Sequence, residues 1–60
     1  MRTLYVLEWV WFPIKEEWVP VVLNCLSAPA PRDIYYLEHW VKRFNKRYKK
    51  ELFITIREED

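Results

Sequence analysis

The stretch that decides the fold is residues 3–12, which read TLYVLEWVWF. β-Branched and aromatic side chains fill this stretch, and Glu8 is its only charged residue. Such a run favours a strand that is apolar on both faces, as a strand at the centre of a sheet must be. We therefore predict that residues 3–12 form the central strand, and we place the other elements around it.

A second strand is predicted at residues 18–26, which read WVPVVLNCL. The five residues 13–17 separate it from the first strand and contain no glycine, which indicates a hairpin loop longer than a two-residue turn. Pro20 has no amide hydrogen to donate to a neighbouring strand. We therefore predict that the second strand lies at an edge of the sheet, with Pro20 facing outward.

A helix is predicted after residues 27–31, SAPAP, a linker stiffened by two prolines. Pro31 suits the first helical position, and Asp33 suits the first turn, where a negative charge complements the helix dipole. An apolar stripe with spacings of three and four residues then covers about four turns, and the helix should end near Lys49 or Lys50. The members of the stripe are Ile34, Leu37, Val41, Phe44 and Tyr48.

Residues 51–58, ELFITIRE, alternate between two faces and predict a third strand. A right-handed crossover makes the second and third strands parallel to each other, so that a first strand placed between them is antiparallel to both. The predicted fold class is α+β, with the order β-hairpin, helix, β-strand (ββαβ) in one domain over residues 1–60. The three-stranded antiparallel sheet has the order 2-1-3 and carries the helix on one face.

The faces of the sheet are assigned from two anchors. The alternation of the third strand places Leu52, Ile54 and Ile56 against the helix stripe, and Glu8 marks the uncovered face of the first strand. The covered face is then predicted to hold Tyr5, Leu7, Trp9, Trp11, Val19, Val21, Leu23 and Cys25. The uncovered face is predicted to hold Leu4, Val6, Glu8, Val10, Phe12, Trp18, Val22 and Phe53.

The composition argues against an enzyme. The chain has no glycine for a phosphate-binding loop, and one serine, one cysteine and one histidine. Cys25 stands in a hydrophobic run without a basic neighbour, which predicts a protonated thiol in the core. Glu38 and His39 are adjacent on the helix and project about 100° apart, so they form no catalytic dyad by themselves. We predict no catalytic residue, no cofactor and no metal site.

The expected location is the cytoplasm, because a lone cysteine suits a reducing compartment and no signal-peptide pattern follows Met1. The longest uncharged run, residues 18–31, contains three prolines and is shorter than the roughly 20 apolar residues that span a bilayer. We therefore expect neither a transmembrane segment nor a membrane partner.

One helix cannot cover both faces of a sheet, and the chain contains four Trp, four Tyr and three Phe. Three outcomes are open for the uncovered face: its aromatic side chains fold over the edges, a second copy of the chain covers it, or a different protein binds there. Apolar patches larger than about 300–600 Å² usually mark binding sites. The sequence therefore favours a non-enzymatic protein-binding module, with a homodimer as the expected oligomer.

A basic cluster follows in the second half of the predicted helix, with six cations within residues 42–50 of a chain whose net charge is +1. Cations near a helix C-terminus are favoured by the dipole, so the cluster is compatible with a solvated helix face. The alternative is a nucleic-acid-binding accessory protein that contacts phosphates without reading bases. Its contact residues would be Lys42, Arg43, Lys46, Arg47 and Lys50.

In its size, its aromatic content and its strand-strand-helix-strand order, the chain resembles the short proteins that bacteriophages make to disable host machinery, including phage antitoxins and RNA-polymerase inhibitors. The resemblance spans the whole chain but includes no shared motif, so no functional residue is carried over from it. It implies a stoichiometric inhibitor of a host protein, such as a defence nuclease or a CRISPR effector, that acts in the host cytoplasm.

The candidate partner-binding residues are large aromatic side chains and arginines, because these residue types dominate the binding energy of protein interfaces. The set consists of Trp11, Phe12, Trp18, Tyr36, Arg43 and Arg47.

Overall fold

The computed structural model describes residues 1–59, which form three strands and one helix. The strands are β1 (Arg2–Phe12), β2 (Glu17–Ser27) and β3 (Leu52–Glu58), and the helix is α1 (Pro31–Tyr48). The sheet has the order β2-β1-β3, both neighbouring pairs are antiparallel, and α1 packs on one face. The predicted α+β fold with a central first strand is confirmed.

The hairpin loop is shorter than predicted. Residues 13–16 form it, because Glu17 already pairs with Phe12. The Glu16 amide donates a hydrogen bond to the Pro13 carbonyl oxygen at 3.3 Å, and Glu16 adopts a left-handed φ of 51°. A non-glycine residue in this region costs on the order of 1–2 kcal/mol. Because the chain has no glycine, non-glycine residues must adopt this conformation in its turns.

The ends of the helix follow the sequence signals. Pro31 is the first helical residue, and the amide of the preceding Ala30 donates to Asp33 Oδ2 at 3.0 Å. At the other end Lys49 takes the left-handed conformation, with φ 53°, and the Lys50 amide donates to the Asn45 carbonyl oxygen at 3.2 Å. A lysine therefore fills the capping position that glycine usually occupies.

Asn45 joins the helix to β3. Its side-chain Nδ2 donates to the Leu52 carbonyl oxygen at 2.9 Å, and its Oδ1 accepts from the Leu52 amide at 2.8 Å. One side chain thus satisfies both backbone groups of Leu52, as a neighbouring strand would. This pair fixes the direction in which the chain leaves α1 and enters the sheet.

The core lies between α1 and one face of the sheet, and its centre is Leu4, which is 1% exposed. Leu4 and Val6 of β1 pack there with Val41 and Leu52. The prediction that even-numbered β1 residues lie on the uncovered face was therefore wrong. The remaining contacts with this core come from Ile34, Leu37, Phe44 and Ile54.

Glu8 was a misleading anchor for the β1 faces. Register partners share a face, and Glu8 pairs with Leu52, so the carboxylate lies on the helix side. Lys49 and Lys50 border the same concavity as Glu8, just beyond the end of the helix. As a consequence, Tyr5, Leu7, Trp9 and Trp11, which were predicted to be covered, lie on the open face.

An irregularity in β2 exchanges the faces on which its odd-numbered and even-numbered residues lie. Val6 pairs with Asn24 and Leu7 with Val22, so that Leu23 is an additional residue in a β-bulge. Beyond the bulge Cys25 pairs with Tyr5 on the open face and is exposed. The prediction of Cys25 as a core thiol was wrong for this reason.

Three residues predicted for the open face do lie there. Trp18 pairs with Trp11, and both Val22 and Phe53 pair with Leu7. Val19 and Val21 lie on the helix side as predicted, since they pair with Val10 and Glu8. Both remain incompletely covered, however, because α1 lies closest to β3, at the other edge of the sheet.

Tyr48 departs from the predicted stripe. It is the last residue of α1 and is 54% exposed, because the helix extends past the core at that end.

The molecule is flat and more open than a folded chain of its length. Its Cα extents are 37 × 32 × 11 Å and its radius of gyration is 12.9 Å, against about 10 Å expected for a compact domain. Its accessible surface is 5228 Å², against about 4300 Å² expected for a monomer of 7.6 kDa. The chain therefore exposes about 900 Å² more than its mass accounts for.

Candidate functional site

The most exposed apolar feature is the far end of the β1–β2 hairpin. β3 pairs with β1 only as far as Glu8, which is opposite Leu52, the first residue of β3. Beyond that point β1 pairs with β2 alone. Residues 9–20 therefore form a two-stranded ribbon with no third strand paired beside it, and we name it the hairpin arm.

Both faces of the hairpin arm are apolar and exposed. On the open face Trp11 is 46% and Trp18 60% exposed, and the centroids of their rings lie 5.6 Å apart. Val10 and Phe12 lie on the helix side and are also exposed, and Ile14 in the turn is 87% exposed. An isolated hairpin is at best marginally stable in water. The arm thus exposes to solvent large apolar side chains of the kind that usually fill the core of a protein.

One backbone edge of the arm is also free. The Arg2 carbonyl oxygen accepts from the Ala28 amide beside β2, and the Met1 carbonyl oxygen accepts from the Glu59 amide beside β3. Backbone amides and carbonyls point alternately to the two sides of a strand. The backbone groups of odd-numbered β1 residues therefore point toward the β3 side. Trp9 and Trp11 therefore direct their amides and carbonyls to the position where β3 has already ended.

The outer edge of β2, in contrast, is poorly suited to accept another strand. The same alternation turns Pro20, which has no amide hydrogen, toward that edge. The β-bulge at Leu23 interrupts the register, and the Cys25 amide donates to Asn24 Oδ1 at 2.8 Å. Natural sheets use such features to avoid pairing at their edges. The position of Pro20 also confirms the prediction of an outward-facing edge residue.

Charged residues border the arm at its base. Glu8, Lys49, Lys50 and Glu51 line a concavity together with the arm side chains, among them Trp9. Charges of both signs therefore surround an apolar centre, as in the polar rim of a protein interface.

The open face near the chain termini is partly covered by its own side chains. The Trp9 and Phe53 rings stack with centroids 5.4 Å apart, and Leu7, which borders a depression with both, is 8% exposed. Near the chain ends Tyr5 donates a hydrogen bond from its hydroxyl to the Glu59 carboxylate, which raises the pKa of Tyr5 above its ordinary value of 10.0.

The structure distributes the predicted partner-binding residues over three places. Trp11 and Trp18 are in contact on the open face of the arm, and Phe12 lies on the opposite face of the same ribbon. Tyr36 lines a groove between α1 and β2. The predicted arginines lie farther along the helix, where they border a concavity with three aromatic rings. These arginines are Arg43 and Arg47.

Of the lysines predicted for nucleic-acid contact, Lys42 and Lys46 do not line the concavity that Arg43 and Arg47 border. Lys42 and Lys46 each precede an arginine by one position and are rotated about 100° from it around the helix. Lys50 lies beyond the helix and borders the base of the hairpin arm.

Sequence reasoning missed Ile14 as an exposed side chain and placed Trp9 and Trp11 under the helix. A signal for the arm was present, because residues 3–12 make a longer predicted strand than residues 51–58. One end of the longer strand must then lack a neighbour on the β3 side. Trp40, which stacks on Phe44 with centroids 4.9 Å apart, was also missed, because it lies outside the predicted stripe.

The residues that look chemically reactive are dispersed. The rings of His39 and Tyr35 lie 4.3 Å apart on an exposed part of the helix, and Cys25 lies on the open sheet face. Within residues 1–59, no group of three or more His, Cys, Asp and Glu side chains is arranged to hold a metal ion. Over the same residues, α1 lacks the length and apolar character needed to cross a membrane.

Comparison of the chain with protein-family models, with curated proteins and with solved structures gave no match.

Proposed function

We propose that the chain is a non-enzymatic protein-binding module and that the hairpin arm is its contact surface. The observation that carries the proposal is the exposure of large apolar side chains on both faces of a ribbon that only two strands form. Contiguous apolar surface of this kind marks interaction sites in folded proteins. Trp11 and Trp18 supply the anchors, since tryptophan is enriched among the residues that dominate binding energy.

A second copy of this chain is the partner that the surface area favours. The excess of about 900 Å² over a compact monomer is close to the roughly 800 Å² that each partner contributes to a standard interface. The net charge of +1 gives little repulsion between two copies. A homodimer that covers the arms would bring each chain to the exposure expected for its mass.

The test is sedimentation velocity over a range of protein concentrations. We expect the wild-type chain to dimerise, and we expect Trp11→Ser combined with Trp18→Ser to weaken the dimer at least tenfold. The matched control is Tyr35→Ser, which removes an aromatic side chain of 66% exposure from the helix, away from the arm. Far-UV circular dichroism verifies that each variant is folded.

A different protein that binds the arm is tested by photo-crosslinking. A benzoyl-phenylalanine at position 18 should give discrete crosslinked products in bacterial lysate, whereas the same group at position 35 should give none of them. The proposal is wrong if the wild-type chain stays monomeric and position 18 gives no product that position 35 lacks. That the partner is a host protein inhibited by this chain, as the resemblance implies, stays a prediction.

A further inference from the structure

One flank of α1 carries a row of aromatic rings that is independent of the hairpin arm. Trp40, Phe44 and Tyr48 follow each other at intervals of four residues, with centroid distances of 4.9 Å and 4.7 Å. The Arg47 guanidinium lies 5.6 Å from the centroid of the Tyr48 ring, and Arg43 borders the same concavity. We name these five residues the aromatic-arginine flank.

The rings of this flank are accessible. Trp40 and Tyr48 are both exposed, and Phe44 between them is half-buried against the core. The row therefore has a fixed centre, with solvent-accessible aromatic surface at its two ends.

The positive charges around the flank are available to a ligand. Residues 42–50 contain six lysines and arginines, and none of them forms an ion pair with any residue among 1–59. The ion pairs within that range involve Met1 and Arg2 with Glu58. A solvated helix face needs no aromatic row beside its cations, so the combination of the two indicates a ligand with both planar and anionic groups.

We propose that the aromatic-arginine flank binds single-stranded nucleic acid without sequence specificity. Unpaired bases stack on exposed aromatic rings, and a basic surface follows the phosphates. Arginine suits both tasks, because its planar guanidinium binds phosphate through two hydrogen bonds and stacks on rings. A duplex keeps its bases inside the stack, and an acidic protein surface offers carboxylates without bases, so both would use only the charge.

The binding experiment uses fluorescence anisotropy of a labelled oligothymidylate of about 16 nucleotides, a length within the range that small single-strand-binding domains cover. We expect binding at low salt that weakens as the salt concentration rises, because contacts with phosphates release counterions. A duplex of the same length and polyglutamate serve as competitors, and both should compete at least tenfold less well than unlabelled oligothymidylate.

Two double variants with the same charge change locate the site. Arg43→Glu with Arg47→Glu should weaken binding at least tenfold more than Lys42→Glu with Lys46→Glu. The lysine pair removes the same charge one position earlier on the helix and does not border the aromatic rings. Equal losses would mean a general cationic surface and would overturn the proposal.

The stacking component is tested without a change of charge. Trp40→Leu with Tyr48→Leu should weaken binding by at least about thirtyfold, since stacking on each of the two rings contributes about 1–3 kcal/mol per base. Tyr35→Leu is the control on the other flank. Undetectable binding at low salt, equal competition by polyglutamate or duplex, or full affinity of the Trp40/Tyr48 variant would each contradict the proposal.

The site is separable from the proposed protein interface. The arm variant with Trp11→Ser and Trp18→Ser should bind the oligonucleotide as the wild type does, and the Arg43/Arg47 variant should sediment as the wild type does. Loss of both properties in one variant with native circular dichroism would mean that the two surfaces are one, which overturns the assignment to the helix flank.

Discussion

The two halves of β1 both contain large apolar side chains and have opposite surroundings. From Arg2 to Glu8 the strand has β2 on one side and β3 on the other, and α1 covers Leu4 and Val6. From Trp9 to Phe12 it has β2 alone, and all four side chains are exposed. Composition does not explain the difference, since the exposed half is the more apolar of the two. The extent of the neighbouring elements explains it.

This comparison separates two uses of hydrophobic residues. In the covered half they stabilise the fold of one chain, and in the hairpin arm they remain available for contact with another chain. The boundary is sharp, because β3 starts at Leu52, opposite Glu8. Substitutions on either side of this boundary should therefore differ strongly in their effect on the stability of the monomer.

The largest expected effect is that of Leu4→Ala. Leu4 is the most deeply buried large side chain, and removing it should lower the free energy of unfolding by about 2–5 kcal/mol. In the hairpin arm, Trp11→Ser removes a larger but exposed side chain and one cross-strand contact, so a loss below about 1 kcal/mol is expected for the monomer. Urea denaturation at a concentration where the chain is monomeric measures both. Equal losses would show that the arm belongs to the core of the monomer.

Asn45→Ala tests the boundary itself. The substitution leaves the amide and carbonyl of Leu52 without their partner at the point where the covered half ends. Two lost hydrogen bonds in a partly buried position should cost about 1–3 kcal/mol, which is less than Leu4→Ala and more than Trp11→Ser. Lys46→Ala, at an exposed neighbouring position, is the control for helix propensity. A cost equal to that of the control would mean that Asn45 does not hold the helix to β3.

The sequence was sufficient to predict the order of the elements and of the strands. Pro20 places β2 at an edge, and the apolar character of residues 3–12 places β1 at the centre. The faces of β1 were not predictable in the same way. Both faces are apolar, so hydrophobicity does not show whether the odd-numbered or the even-numbered residues lie under the helix. Glu8 was the available marker, and it lies on the helix side because it pairs with Leu52.

Which β2 residues lie on which face changes at a bulge at Leu23, and no residue type near it predicts the bulge. Cys25 was misplaced because of it. Trp11 and Trp18 were predicted as candidate anchors from residue type alone, and their contact follows from a hairpin register that the sequence did not specify. Of the aromatic-arginine flank, the sequence predicted only the two arginines as contact residues. The row that Trp40 forms with Phe44 and Tyr48 became visible only in the structure.

The smallest expected effect concerns the other end of the covered half, where the chain termini meet. The Tyr5 hydroxyl donates to the Glu59 carboxylate, and this hydrogen bond is the main cause that raises the pKa of Tyr5 above 10.0. A phenol with a raised pKa in the folded state stabilises the fold while it is protonated. That contribution is complete below the ordinary pKa and is lost as the pH rises through the folded-state pKa.

Absorbance titration near 295 nm should therefore show a tyrosine that ionises with a midpoint above 10.0 in the folded chain, and Tyr5→Phe should remove that step. Glu59→Gln should return the midpoint toward 10, because the amide has no negative charge to oppose the phenolate. If the midpoint is unchanged in Glu59→Gln, the termini are not joined through this pair. The covered half of the sheet would then be held by β3 pairing, by the helix and by the contacts of Met1 and Arg2 with Glu58 and Glu59.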